Sequence, residues 1–303
     1  MAGAARHETA SLTDVGSVRA HNEDWCGEFT RGDGAHLLVL ADGMGGHAGG
    51  ATASHLVVET VGAEFARSEA PPPQLLEDAL RAANEAVQRA ADADPSLRGM
   101  GATSVALLLA ANGGAFVAHV GDSRAYRLRA GRLEALTEDH SVVAELVRRG
   151  LLDPADAAHH PRRNEILRSV GVEPKVLVDV RAVDTVPGDR LLLCSDGLCG
   201  CVDDDAIAPA LAAGSPAQAA RALVALANAN GGPDNVTVQV VAIAGAERAA
   251  SRADASTDEI EVPPLPRTTA APRVDPRVRS IAAATTVVTV LLVLATAWLL
   301  WQG

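Results

Sequence analysis

Aromatic residues make up only 2% of this 303-residue chain. Any core must therefore be built from Ala, Val and Leu, and the 48% hydrophobic fraction supplies enough for a sizeable one. Basic charge is also in deficit. A formal net charge of −12 excludes a general nucleic-acid binder, because phosphate backbones call for Lys and Arg. Cysteine is sparse. Cys26, Cys194, Cys199 and Cys201 lack paired zinc spacing and form no disulfide framework, so free thiols in a reducing compartment are expected. The N-terminal residues contain no apolar signal-peptide core. Three signatures of phosphate chemistry are missing as well. Without a Gly-x-x-x-x-Gly-Lys-Ser/Thr loop, ATP-driven phosphotransfer is disfavoured. There is no Cys-x5-Arg nucleophile motif, and no His-based zinc cluster shows in the spacing.

The chain does contain a recurring junction. Leu37-Leu38-Val39-Leu40-Ala41 is a short aliphatic run that ends in Asp42-Gly43-Met44-Gly45-Gly46. It reads as a buried strand with a carboxylate at its tip. Glycines beside that carboxylate let main-chain carbonyls approach an ion, and hard divalent cations take such oxygens. A plain strand-to-helix turn with Asp42 as a helix cap is the alternative. The junction recurs at Val120-Gly121-Asp122 and at Cys194-Ser195-Asp196-Gly197. A fourth Asp, Asp234, precedes the alternating strand Val236–Val241. All four can gather at one sheet end. Two-metal hydrolysis needs such a set, with an arginine to clamp the phosphate. Arg19 is the candidate. Together with Asn22, Glu23 and Asp24 it can bind an anion and hold water near a metal.

Around these junctions the pattern predicts helices over Ala48–Arg67, Leu75–Ala91, Val142–Arg149, Ala206–Leu211 and Ala217–Ala229. Strands are expected at Thr103–Leu109, Ala115–Val120, Tyr126–Leu128, Leu133–Leu136, Val176–Val183 and Arg190–Cys194. Residues 8–22 read as mixed and polar, with a short strand before the Thr13–Gly16 turn. Residues 153–164, with His159 and His160, read as a mobile polar insert rather than a metal site. Charges, Thr and Pro dominate residues 246–280, as in a flexible linker. Residues 281–301 carry no charge, and a bilayer span needs about 20 such residues. Arg273, Arg277 and Arg279 precede the run, and Trp298 and Trp301 lie near its end. These flanks predict a single-pass inner-membrane helix with the rest of the chain cytoplasmic.

Six motifs, taken in order, resemble those of the type 2C metal-dependent Ser/Thr protein phosphatases in their bacterial branch. They are Arg19-x-x-Asn22-Glu23-Asp24, Asp42-Gly43-Met44-Gly45-Gly46-His47, Gly121-Asp122-Ser123-Arg124, Asp139-His140-Ser141, Ser195-Asp196-Gly197-Leu198 and Gly232-x-Asp234-Asn235. The resemblance covers residues from about 8 to 244 and implies an α+β fold. That fold is a four-layer α-β-β-α sandwich of two antiparallel sheets flanked by helices, spanning residues 1–245. It implies two core Mn2+ or Mg2+ ions. Asp42 would bridge both, the Gly43 carbonyl would bind one, and Asp196 and Asp234 would complete the other. Glu23 and Asp24 would act through water, and Arg19 would bind substrate phosphate. Asp122 with Asp196 matches the site of a third, weaker ion, and residues 151–164 match a flap that influences substrate choice. The implied partners are phosphorylated proteins and a Ser/Thr kinase with its targets. Two rival readings are a phosphoprotein-binding module without catalysis and a dedicated phosphatase of one regulatory protein.

Overall fold

The computed structural model describes residues 7–46, 48–157 and 159–244. Strands β1 (His7–Asp14), β2 (Asp24–Thr30) and β3 (His36–Met44) open the chain, followed by helices α1 (Ala48–Arg67) and α2 (Pro72–Ala93). Then come β4 (Gly101–Ala102), β5 (Ser104–Leu109), β6 (Ala115–Val120), β7 (Arg124–Arg129) and β8 (Arg132–Ala135). Helices α3 (Val142–Arg148) and α4 (Pro154–Ala157) lead to β9 (Asp179–Val183) and β10 (Arg190–Cys194). Helices α5 (Asp196–Cys199), α6 (Asp204–Ala212) and α7 (Pro216–Ala229) precede the last strand, β11 (Val236–Ile243). One sheet has the order β1-β11-β10-β7-β8. The other runs β2-β3-β5-β6-β9, with β4 added beside β3. Every pairing is antiparallel.

The period-2 alternation of a strand explains the layering. On β3, Leu38 and Leu40 enter the core between the sheets, while Leu37, Val39 and Ala41 face α1 and α2. On β10, Leu191 and Leu193 point between the sheets, and Leu192 and Cys194 point toward α6 and α7. A strand buried on both faces needs apolar residues at every position, which is why these runs are continuous rather than alternating. The expected two-sheet sandwich flanked by helices is therefore the observed one. Helix α7 starts with a capping box, in which Ser215 and Gln218 each satisfy the other's backbone N–H, followed by Pro216 in the first turn.

Strands β1, β2 and β9 differ from expectation. β1 is a full strand because β11 imposes the register, pairing His7 with Ile243 through to Asp14 with Val236. Its Thr and Ser residues obscure this locally. β2 shows no apolar alternation, yet it forms beside β3, with Asp24 opposite Asp42. Asp24 is thus a buried residue at the start of a strand that the sequence pattern did not show. β9 begins at Asp179, three residues later than expected. All four cysteines are free. Among the described residues no helix is long and apolar enough to cross a membrane. The linker over residues 246–280 and the span over residues 281–301 lie outside the described residues.

Candidate metal centre

Both sheets end at one cleft of about 290 Å3, lined by Arg19, Glu23, Asp42, Gly43, Asp122, Asp196 and Asp234. Asp42 and Asp122 come from the β3 and β6 ends of one sheet, and Asp196 and Asp234 from the β10 and β11 ends of the other. The four strand-tip carboxylates therefore converge, though from the ends of two sheets rather than of one. Thr103, Asn164 and Ile166 also line the cleft.

The local backbone explains why these positions suit the task. A Cβ on Gly43 would lie 2.1 Å from the Gly50 carbonyl, so β3 and α1 can meet there only without a side chain. A Cβ on Gly50 would lie 1.9 Å from the Glu23 carboxylate. Glu23 thus rests against the first turn of α1, where helix N–H dipoles favour an anion. Gly121 has φ +105, which glycine alone adopts without strain, and packs against Thr103.

Polar clamps then fix the cleft walls. Asn235 donates to the carbonyls of Val15 and His21 at 2.9 Å each and accepts from the Glu23 N–H at 2.8 Å. One side chain therefore holds the whole Arg19–Glu23 loop. The Ser195 hydroxyl donates to Asp24 at 2.7 Å and accepts from the Thr237 N–H at 3.0 Å. The Thr103 hydroxyl accepts from the Asp42 N–H at 3.2 Å and lies 2.7 Å from the Ser123 hydroxyl. Sequence reasoning assigned no role to Thr103, Ser195 or Asn235. The only available signal was the membership of Ser195 and Asn235 in the quoted motifs.

The electrostatics show what is missing from this donor set. Burial, and then repulsion from Asp24, Asp196, Asp122 and Asp234, pushes the Asp42 carboxyl well above the usual carboxylate range. Burial raises Asp24 to about 7, even though hydrogen bonds from Thr237 and Ser195 pull it down. Asp122 also rises to about 7, through burial and then repulsion from Asp196 and Asp139. Asp196 is raised by burial and then by Asp234. Two buried oxygens, Asp24 Oδ1 and Asp196 Oδ1, have no hydrogen-bond partner. Nearby cations do not balance this charge. Arg19 Nη2 donates to Asp234 at 2.7 Å, and Arg124 forks onto Asp139 at 2.8 and 2.7 Å. Unpaired buried carboxylates are costly. Multivalent cations with oxygen preference fit the cluster.

A second grouping of metal-type donors brings together His119, His140 and Asp179, whose ligand atoms lie within 4.8 Å of one another. Sequence spacing did not show it. Its cation position is taken by Arg168, which donates to Asp179 at 2.8 Å and lies 3.2 Å from His140 Nε2. His159 and His160 of the insert are not part of it.

Comparison with known proteins agrees with this geometry. The family pattern described as Protein phosphatase 2C matches residues 17–227. The serine/threonine protein phosphatase PstP of Mycobacterium tuberculosis is 43% identical over 238 residues, which is 76% of this chain and 44% of that protein. The chain thus spans less than half of that relative's length. The serine/threonine phosphatase stp of Listeria welshimeri is 39% identical over 235 residues, covering 76% of this chain and 93% of that protein. Among solved structures, the PstP catalytic domain in complex with two manganese ions superposes with a TM-score of 0.68 at 40% identity, covering 79% of this chain and 99% of that one.

Proposed function

Because the chain belongs to the protein phosphatase 2C family, we propose that it is a metal-dependent phosphatase that hydrolyses phosphoserine and phosphothreonine on proteins. The observation that carries this reading is the convergence of Asp42, Asp122, Asp196 and Asp234, from both sheets, on one cleft in which the Arg19 guanidinium pairs with Asp234 alone. Asp42, the Gly43 carbonyl, Asp196 and Asp234 would hold two Mn2+ or Mg2+ ions, and Asp122 with Asp196 a third, weaker one. Bound divalent ions supply Lewis acidity, making water a nucleophile near neutral pH and neutralising charge on phosphoryl oxygens. Glu23, braced on α1, and the buried Asp24 orient water around that centre.

Arg19 receives the substrate. Its side chain is 54% exposed and its guanidinium already reaches the cleft at Asp234. A planar fork of donors matches two phosphate oxygens. R19A should raise KM for a phosphopeptide roughly tenfold while changing metal affinity little, because it removes phosphate binding rather than a metal donor. Steady-state kinetics beside a calorimetric metal titration check this, and a KM left unchanged would remove Arg19 from the binding site.

The substrates we propose are proteins phosphorylated by a Ser/Thr kinase, in keeping with the names of the relatives. The full chain should release phosphate from a phosphothreonine peptide with Mn2+ or Mg2+ and stop with chelator. Activity undiminished by chelator would sink the reading.

We also propose that residues 281–301 tether the chain to the inner membrane with the catalytic domain in the cytoplasm. The support is the uncharged length of that stretch, the three arginines before it and the Trp residues near its end. Full-length protein should stay with membranes after a carbonate wash, and a version ending at Ala271 should not. If both fractionate as soluble, the tether does not exist.

A further inference from the structure

The ring of His140 does not line the cleft, yet it holds the turn that carries Asp122. The Gly121 N–H donates to His140 Nδ1 at 3.1 Å, and the His140 N–H donates to the Gly121 carbonyl at 3.0 Å. One residue therefore grips both peptide planes of Gly121, and the second plane leads directly into Asp122. Gly121 sits at positive φ with Thr103 against it, so this turn has no latitude to readjust.

The ring itself is locked from three sides. It stacks on His119, two residues before Gly121, with centroids 4.5 Å apart and planes 17° from parallel. His119 Nε2 donates to the Glu138 carbonyl at 2.9 Å, tying β6 to the segment that carries His140. Because a backbone N–H can only donate, His140 Nδ1 must accept, and its proton resides on Nε2 facing Asp179 at 3.3 Å. Burial, with His119 and Arg168 nearby, pushes the His140 pKa down to about 4, which keeps Nδ1 free to accept. The same residue also anchors the far end of the insert. The Leu167 N–H donates to the His140 carbonyl at 2.6 Å, and Val142 N–H to the Glu165 carbonyl at 2.8 Å.

We propose that His140 is a positioning residue: it aims the Asp122 carboxylate into the cleft by fixing the Gly121–Asp122 peptide, and it ties that aim to the base of the 151–164 insert. The inference rests on the reading of Asp122 as a donor to a weakly held cation. Groups that orient a metal ligand typically change affinity or activity by about 10–100-fold when removed.

Three variants of the full chain test it. Asn offers Oδ1 where His offers Nδ1, so H140N keeps the acceptor for Gly121 and loses the ring stack. H140L fills similar space but accepts nothing. In calorimetric Mn2+ titrations, D122A should abolish the weakest binding step, H140L should weaken that step roughly tenfold, and H140N should restore it. The tight steps should be unchanged in all three. Melting temperatures should fall in both His140 variants, because both lose the stack on His119. If D122A abolishes the weak step and H140L leaves it intact, His140 does not position Asp122. Equal weakening by H140L and H140N would reduce His140 to packing. If D122A leaves every step unchanged, the ion reading of Asp122 fails and the inference falls with it. Should H140L not fold, the unaltered protein still decides the matter. Its Gly121 amide should exchange slowly with deuterium, and exchange as fast as in exposed turns would show that the Nδ1 bond is not made.

Discussion

Asp42→Asn should lower turnover by a factor of roughly 10^3 or more and, in the same protein, raise the stability of the metal-free fold. The two effects have one origin. Asp42 is the carboxylate at the centre of the cluster, pushed upward by burial and by four other aspartates. That crowding favours bound cations and works against the fold when they are absent. Asn keeps the shape of the side chain and removes the charge, so it relieves the repulsion and weakens metal binding together. The stability gain in chelator should be about 1–3 kcal/mol, the scale of a buried unpaired charge in mutational data. Phosphopeptide kinetics and thermal melts with chelator and with Mn2+ read both halves. Lower stability in chelator would mean that the carboxylates are not in mutual repulsion.

A modest change of pH should move stability in opposite directions with and without metal. In the folded, metal-free chain Asp24 and Asp122 take up protons at about 7, against an ordinary 3.8. Between those values the folded state binds more protons than the unfolded state, so stability falls as pH rises. The metal-free protein should therefore melt higher at about pH 6.5 than at about pH 8. Metal binding requires ionised carboxylates and releases protons, so the stabilisation by Mn2+ shrinks over the same descent. The window stops at about pH 6.5 because His119 and His140 oppose the trend below it. Burial lowers both, so each is neutral when folded and takes up a proton on unfolding. Thermal melts at the two pH values, in chelator and in excess Mn2+, should give slopes of opposite sign. Two slopes of the same sign would contradict the assignment.

How much of this was legible beforehand depended on sequence distance. Asp42, Asp122 and Asp196 were visible because each closes an aliphatic strand and stands beside glycine, a pattern contained within a few residues. Asp234 was visible from the opposite side, as the residue before an alternating strand. Asp24 was legible as a residue holding water near a metal, but its strand was not, because β2 has no apolar rhythm of its own. It is a strand because β3 offers it a partner edge, and its burial follows from facing Asp42. The clamps are less local still. Asn235 bonds the Glu23 N–H across 212 positions, and Ser195 reaches Asp24 across 171. No periodicity connects such residues, and only the closing of one sheet over the other brings them together. The His119–His140 stack is of the same kind.

The donors of the cleft are divided evenly between two sheets whose shared core is built chiefly from Leu, Val and Ala side chains. Interdigitated side chains and the bonds from Ser195 to Asp24 and from the Glu23 N–H to Asn235 already hold the sheets in one alignment. In the proposed metal centre, ions held by Asp42 on one sheet and by Asp196 and Asp234 on the other would add a clasp at the open end of a book, reinforcing the alignment of one cover against its neighbour. Affinity for the ions would then become a gauge of sheet alignment. A substitution in the inter-sheet layer, at Leu40 or Leu193 for example, should register at the clasp without touching a single donor atom.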